Sequence, residues 1–385
     1  MFGTVLDELN NDWTKGMEFL IKDVLANADS DEAYDLAKKF KTQHMRNRSI
    51  TFIEPKMIDQ LKMFRDQFNF IDDMSLYEVE YMFLKASRNC VLKDGVKDLL
   101  RYLSDYNNDL YIMSNTIYSA ITIKRFIKDF GLMDYFKDVF TSSDYGYRKP
   151  SNRFFEHVID QATNGLNHLA EDIVFIGNSF EKDVLGGMSS GMHTIWLCEN
   201  QETQDSSFEG YVRKSTMTEI KKYFANNFIY MSSIADDYSV TDGIGNRLVV
   251  YFQGCNRHCE GCHNQITWDI TSGRRKHVKT IAIEILKRLN RYSKNITISG
   301  GEPLLQRKPL IKLIEILNKY NINICLYTGN DFEEVPERIK DKVDYIKSGS
   351  FDIEKKDSTK GFYGSYNQSL WKKGENEIWK KINLA

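Results

Sequence analysis

Gly254-Cys255-Asn256-Arg257-His258-Cys259-Glu260-Gly261-Cys262-His263-Asn264 follows directly on the apolar run Arg247-Leu-Val-Val-Tyr-Phe-Gln253. The cysteines are spaced C-x3-C-x2-C. Three thiolates this close can each bind one iron of a [4Fe–4S] cluster, since such clusters are held by cysteine thiolates. The fourth iron is then open, and an open metal position is where a small molecule binds and reacts. Zinc held by the three cysteines with His258 or His263 is chemically reasonable, but no second C-x2-C pair supports it. Cys259-Glu-Gly-Cys262-His263 also reads as a haem-attachment pattern, which normally belongs to exported proteins. Six cysteines in 385 residues are too few for a disulfide framework. Cys90, Cys198 and Cys325 lie in apolar surroundings, as buried thiols do.

A chain of 385 residues is expected to hold two domains. With 42% hydrophobic and 13% aromatic residues it can bury substantial cores. A net charge of −2 gives no global signal for nucleic acid or membrane binding. The start, Met-Phe-Gly-Thr-Val-Leu-Asp, lacks the basic and apolar regions of a signal peptide, and no apolar run reaches the roughly 20 residues that span a bilayer. A cytoplasmic protein is expected.

The two halves differ in pattern. Residues 8–105 carry apolar positions at helical spacing, as in Met17-Glu-Phe-Leu-Ile-Lys-Asp-Val-Leu25. Short buried strands follow at Asp109–Asn115, Asp172–Ser179 and Thr194–Leu197, with helices over Ala120–Phe130 and Arg153–Ala162 between them. That alternation predicts a doubly wound parallel sheet with functional loops at the carboxyl ends of its strands. Asn200-Gln-Glu-Thr-Gln-Asp-Ser-Ser207 reads as a polar surface loop, and Thr216–Ala225 as a closing helix. The expected domains are therefore 1–225, with a helical cap over roughly 8–105, and 226–385.

Strand ends in the first half carry Ser114, then Lys149 in Tyr147-Arg-Lys149-Pro, then Gly177-Asn178-Ser179-Phe-Glu-Lys-Asp183. In order and spacing these resemble motifs two, three and four of the haloacid dehalogenase (HAD) superfamily. The resemblance implies Ser114 and Lys149 as partners of a phosphoryl group and Asp183 in a Mg²⁺ site, in a chemistry of positioning and charge neutralisation. Phe2-Gly3-Thr4 matches the end of motif one, which places the nucleophilic aspartate before Met1. Asn178 stands where the family often has an acidic metal ligand. On the sequence as it stands, phosphatase activity is not expected. The plain alternative makes Lys149 and Asp183 solvated charges.

In the second half, strands at Arg247–Gly254, Asn295–Ser299, Asn323–Gly329 and Asp344–Gly349 alternate with helices at Val278–Tyr292 and Lys308–Tyr320. This order predicts a partial α/β barrel with its chemistry at the strand ends. Gly300-Gly301-Glu302-Pro303 ends one of those strands. Its glycines permit close backbone approach and positive φ, so that backbone groups and Glu302 can hold an ammonium group. A plain strand-to-helix turn reads the same way. Arg274-Arg275-Lys276-His277 reads as a solvated turn.

Residues 234–370 resemble the activating proteins of anaerobic (class III) ribonucleoside-triphosphate reductase, a family of radical S-adenosylmethionine (SAM) activases. The resemblance rests on Asp242-Gly-Ile-Gly-Asn-Arg247, the cysteine loop with Thr267-Trp268, Ser299–Pro303, Leu326-Tyr-Thr-Gly329 and Gly364-Ser-Tyr-Asn-Gln368. It implies a [4Fe–4S] cluster on Cys255, Cys259 and Cys262, and SAM held at Gly300, Gly301, Glu302 and Pro303. It further implies hydrogen removal from a glycine of the reductase's glycyl-radical subunit, fed by a reducing electron donor such as flavodoxin or ferredoxin. Lys347 and Ser348, at a strand end, are candidates for orienting the partner's glycine loop.

Overall fold

The computed structural model describes residues 1–45, 48–106, 108–163, 170–199, 210–289, 293–356 and 362–382. The expected polar loop at Asn200–Ser207 lies outside the described residues, as does the end of the helix expected over Val278–Tyr292. The chain divides into two compact units, Met1–Lys221 and Lys222–Ala385. The division falls within the helix Met217–Asn227. Among the described residues no helix is long and apolar enough to cross a membrane.

In the first unit, β1 (Leu6–Asn11) and β2 (Arg88–Leu92) form an antiparallel pair. The residues between them are mainly helical, including Ser30–Phe40, Met57–Phe68 and Leu76–Ser87. Each of these helices buries an apolar stripe at i, i+3/i+4 spacing, such as Leu61, Phe64 and Phe68. Ser75 caps the last by accepting from the Glu78 amide at 3.2 Å. Beyond the cap, β3 (Tyr111–Ser114) pairs in parallel with β4 (Asp138–Thr141). β5 (Val174–Gly177), β6 (His193–Leu197) and β7 (Tyr211–Lys214) form a second parallel ladder. The parallel α/β reading holds, but the strands stand in two separate ladders. Sequence reading passed over β4 and β7, whose four residues each are too few to show a period.

The second unit is built on one mixed sheet. Its strands are β8 (Phe228–Ser239), β9 (Arg247–Phe252), β10 (Arg274–His277), β11 (Asn295–Gly300), β12 (Asn323–Tyr327), β13 (Tyr345–Ser348), β14 (Ser369–Lys373) and β15 (Trp379–Ile382). They lie in the order β10-β8-β9-β11-β12-β13-β14-β15. β9, β11, β12 and β13 are parallel, and the flanking pairs are antiparallel. Arg274–His277 is thus a strand rather than a solvated turn. It pairs with Phe228–Met231, and His277 is buried.

Successive strand residues point to opposite faces, and here the faces differ in chemistry. Leu248, Val250, Phe252, Ile296, Ile298, Ile324, Leu326 and Ile346 build one core with the helices Val278–Arg288 and Arg307–Asn318. The alternate positions carry Arg247, Thr297, Cys325, Tyr327 and Lys347. Arg247 is 1% exposed. Its guanidinium donates to Ile296 O (2.7 Å), Thr297 Oγ1 (2.9 Å), Ile244 O (2.9 Å) and Asn323 Oδ1 (2.9 Å), stapling β9 across β11 to β12. A buried cation held by several neutral acceptors is costly to remove, because the acceptors lose their donor together. Arg247→Met is expected to lower the stability of this unit by about 3 kcal/mol. Urea unfolding of wild type and variant measures it, and an unchanged midpoint would deny the staple its role.

Candidate functional site

The cysteine loop is fixed at its base by backbone bonds. Gly254 N donates to Thr267 O at 2.7 Å and Cys255 N to Trp268 O at 2.9 Å. The residue after β11 comes equally close: Gly301 N donates to Phe252 O at 2.9 Å, and Glu302 N to Gly254 O at 2.8 Å. That approach explains both glycines. A Cβ on Gly300 would lie 2.2 Å from Phe252 O, and one on Gly301 would lie 2.2 Å from Gly254 O. Gly300 also sits at φ +108°, a conformation that disfavours side chains.

Cys255, Cys259 and Cys262 are half-buried free thiols. Asn264 N donates to Cys262 Sγ at 3.4 Å. Burial raises the Cys255 thiol, with the Glu302 and Cys259 charges adding to it; the nearby backbone N–H groups of Arg257 and His258 oppose them. Amide donors aimed at cysteine sulfur are the environment that tunes an iron–sulfur cluster. Among the described residues no three His, Cys, Asp or Glu side chains gather round a single metal ion, whereas a cluster asks for one thiolate per iron. The loop's histidines lie against rings, His258 on Trp268 (4.7 Å) and His263 on Phe351 (5.8 Å).

Glu302 is 2% exposed. Its Oε1 accepts from Thr328 Oγ1 (2.8 Å) and Leu304 N (2.9 Å), and its Oε2 from Gly329 N (2.8 Å). Arg257 Nε stands 3.6 Å from Oε2. Pro303 opens the short 3₁₀ turn Pro303–Gln306. The carboxylate therefore already joins three of the sequence motifs: the Gly-Gly-Glu-Pro turn, Tyr327-Thr328-Gly329 and the cysteine loop. Lys347 and Ser348 part company. Ser348 accepts from Trp371 Nε1 at 3.1 Å on the helix-packed face, so it does not share a site with Lys347. Lys347 points to the other face, donating to Phe362 O at 3.0 Å and lying 4.1 Å from the Tyr327 ring centroid. Burial lowers its ammonium to about 8.

In the first unit the strand-end residues converge. Lys149 and Asp183 are 7% and 4% exposed, so they are not solvated charges. Lys149 Nζ donates to Asp183 Oδ1 at 2.6 Å and to Met113 O at 3.3 Å, linking the end of β3 to the helical turn Phe180–Val184 after β5. Ser114 is buried at the end of β3. The neighbouring Asn115 grips the Lys149 backbone through both its amide atoms, at 2.8 and 2.9 Å. Ser179 N donates to Asp183 Oδ2 at 2.9 Å, and Thr4 Oγ1 to Asn178 Oδ1 at 3.1 Å. Burial pushes the Asp183 carboxyl up, but the Lys149 ammonium and the hydrogen bonds to Lys149 and Ser179 outweigh it and hold it below the usual range.

Residues 241–371 match the family described as a 4Fe-4S single cluster domain. The anaerobic ribonucleoside-triphosphate reductase-activating protein of Enterobacteria phage T4 is 32% identical over 146 residues, or 36% of this chain and 91% of that protein. Through its C-terminal unit, the chain belongs to the family of radical SAM activating proteins. The activase domain is also 33% identical over 111 residues to the pyruvate formate-lyase-activating enzyme of Clostridium pasteurianum, or 26% of this chain and 45% of that enzyme. Residues 32–197 match the haloacid dehalogenase-like hydrolases. There the HAD-hydrolase YfnB of Bacillus subtilis is 33% identical over 132 residues, or 34% of this chain and 53% of that protein. The chain thus spans about half the length of these last two relatives. Its N-terminal unit is HAD-like.

Sequence reading of the activase domain missed Arg257, whose signal was no more than a basic residue inside the first cysteine interval. Two predictions follow from the geometry. Gly301→Ala is expected to push the base of the cysteine loop away from β11 and to leave the reconstituted protein poor in iron and sulfide; wild-type metal content would refute the close-approach argument. In the HAD-like domain, Asp183→Asn strands a buried ammonium and is expected to cost about 3–5 kcal/mol at neutral pH. Asp183 has a folded value below its unfolded value of about 3.9. Its contribution is therefore complete above that pH and is lost as pH falls through the folded value. Unfolding curves of wild type and variant should converge in acid; a gap that persists there would refute the pairing.

Proposed function

We propose that the activase domain generates a glycyl radical on a partner enzyme, and that the partner is an anaerobic ribonucleoside-triphosphate reductase. The supporting observation is the edge-to-edge seat of the cysteine loop on the Gly300–Pro303 turn. It brings three thiols, a buried carboxylate and unclothed backbone together at the ends of adjacent parallel strands. The donor set fits a [4Fe–4S] cluster, with Cys255, Cys259 and Cys262 each taking one iron. Gly300 and Gly301 offer backbone to the amino-acid end of SAM, Glu302 supplies the negative charge that an ammonium group needs, and Pro303 fixes the turn. When bound, the cluster supplies the electron for reductive cleavage of SAM. The polar face of the sheet, with Tyr327 and Lys347, then forms a wall that excludes bulk water from a reactive species. An electron donor of the flavodoxin or ferredoxin kind completes the set. The choice of reductase draws on the phage T4 relative, which the alignment spans almost end to end.

For the HAD-like domain we propose a phosphate-recognition role, with Lys149 and Ser114 facing phosphoryl oxygens. Magnesium prefers an octahedral oxygen shell that includes carboxylates. Among the described residues the centre offers one, Asp183, already paired with Lys149, while Asn178 supplies an amide. These residues do not make a Mg²⁺ site by themselves, and no step here runs through the ion.

The test is anaerobic. The chain, reconstituted and reduced, is mixed with SAM and the host's anaerobic reductase. A glycine-centred signal in electron paramagnetic resonance, with 5′-deoxyadenosine in the same tube, is expected. Deoxyadenosine without that signal, or a signal raised only on a pyruvate formate-lyase, would move the target to another glycyl-radical enzyme.

A further inference from the structure

The interval between the first two cysteines holds Asn256, Arg257 and His258. Asn256 and His258 are exposed, and His258 sits at φ +46°. Arg257 alone of the three turns inward. Its Nη2 donates to Asn330 Oδ1 at 2.7 Å and lies 3.8 Å from Glu334 Oε2, while its Nε stands 3.6 Å from Glu302 Oε2. The side chain passes close to Gly329, where a Cβ would come within 2.5 Å of Arg257 Cδ. Arg257 stands two residues after Cys255. One residue therefore belongs to the cysteine loop by its main chain and, with its side chain, approaches both the proposed ammonium-binding carboxylate and the loop after β12.

We propose that Arg257 is a positioning residue that couples the cysteine loop to the amino-acid end of the SAM site. The inference rests on the radical SAM reading of the domain. Glu302 is held firmly by Thr328, Gly329 and Leu304, so it is the fixed point; the cysteine loop, tied at its base by backbone bonds, is the part that needs orienting. The guanidinium reaches three separate oxygens from one plane. A lysine ammonium at the same place is a point charge on a flexible stem and cannot span them. Asn330 is the partner at true hydrogen-bond length, so it carries most of the orientation. Glu302 and Glu334 supply the field that keeps the cation in the cleft.

The experiment compares wild type with Arg257→Ala, Arg257→Lys and Asn330→Ala in the full chain, reconstituted and reduced. SAM is titrated while the cluster's electron paramagnetic resonance spectrum is recorded, and 5′-deoxyadenosine formation gives KM and kcat separately. Arg257→Ala should retain iron and sulfide. The SAM concentration that perturbs the spectrum, and the KM, should both rise about tenfold or more, as for loss of a hydrogen bond to a charged group, with kcat changed far less. Arg257→Lys should restore little. Asn330→Ala, which leaves the cysteine loop untouched, should move the same two quantities in the same direction, and it decides the matter if Arg257→Ala fails to hold its cluster. Wild-type titrations for both alanine variants, or a loss confined to kcat, would overturn the proposal. A wild type that neither builds a cluster nor cleaves SAM would overturn the reading beneath it instead.

Discussion

The close approach of β11 to the base of the cysteine loop is the constraint on which the activase domain depends. Two amides, Gly301 N and Glu302 N, reach the carbonyls of Phe252 and Gly254, and the missing side chains at Gly300 and Gly301 are what let them do so. The parallel pairing of β9 with β11, residue for residue from Leu248–Ile296 to Phe252–Gly300, delivers both segments to the same level. The arrangement follows from sheet geometry: adjacent parallel strands end side by side, so loops that leave their carboxyl ends must meet. Gly-Gly-Glu-Pro is therefore both a structural turn and a candidate binding segment, since the features that satisfy the first reading produce the second.

Much of this was legible in the sequence because it is local. The cysteine spacing, the apolar runs of β9, β11 and β12, and the strand–helix alternation announce themselves within a few residues. What escaped is pairing at a distance. β10 reads as four polar residues, and nothing in Arg-Arg-Lys-His says that Phe228–Met231 will lie beside it. A strand's ladder hydrogen bonds go to a partner that the local pattern does not name. Lys149 and Asp183 were recognised as motif residues, but their mutual burial was not visible, because the 2.6 Å contact joins segments that follow two separate ladders. Lys347 and Ser348 stood adjacent in sequence as one candidate pair, and the period of two sent them to opposite faces.

The buried charges show how differently the same problem is solved. Arg247 has no carboxylate among its hydrogen-bond partners and is satisfied by carbonyls, a hydroxyl and an amide oxygen. Such a cation holds strands together and leaves no valence for a ligand. Lys149 has a carboxylate partner at hydrogen-bond length, which ties the two side chains to each other. Glu302 has neutral donors at short range and its cation at 3.6 Å. Like Arg247 it is held by neutral groups at short range, and unlike Arg247 it has a counter-ion standing just beyond hydrogen-bond length.

That difference bears on what each group can do. A charge cancelled at 2.6 Å offers a third ion little net field, and a ligand must break the pair to use either member. Hydrogen-bond donors around a carboxylate leave it without a contact counter-ion, and charges interact more strongly in a low-dielectric surround than in water. With Arg257 Nε 3.6 Å from Glu302 Oε2, any cation drawn to this carboxylate shares its field with the guanidinium. The HAD-like centre, closed on itself, can respond to an anion only by loosening Lys149 from Asp183. In the activase domain the Glu302 carboxylate is fixed by Thr328, Gly329 and Leu304, and the guanidinium beside it is anchored at hydrogen-bond length to Asn330 instead.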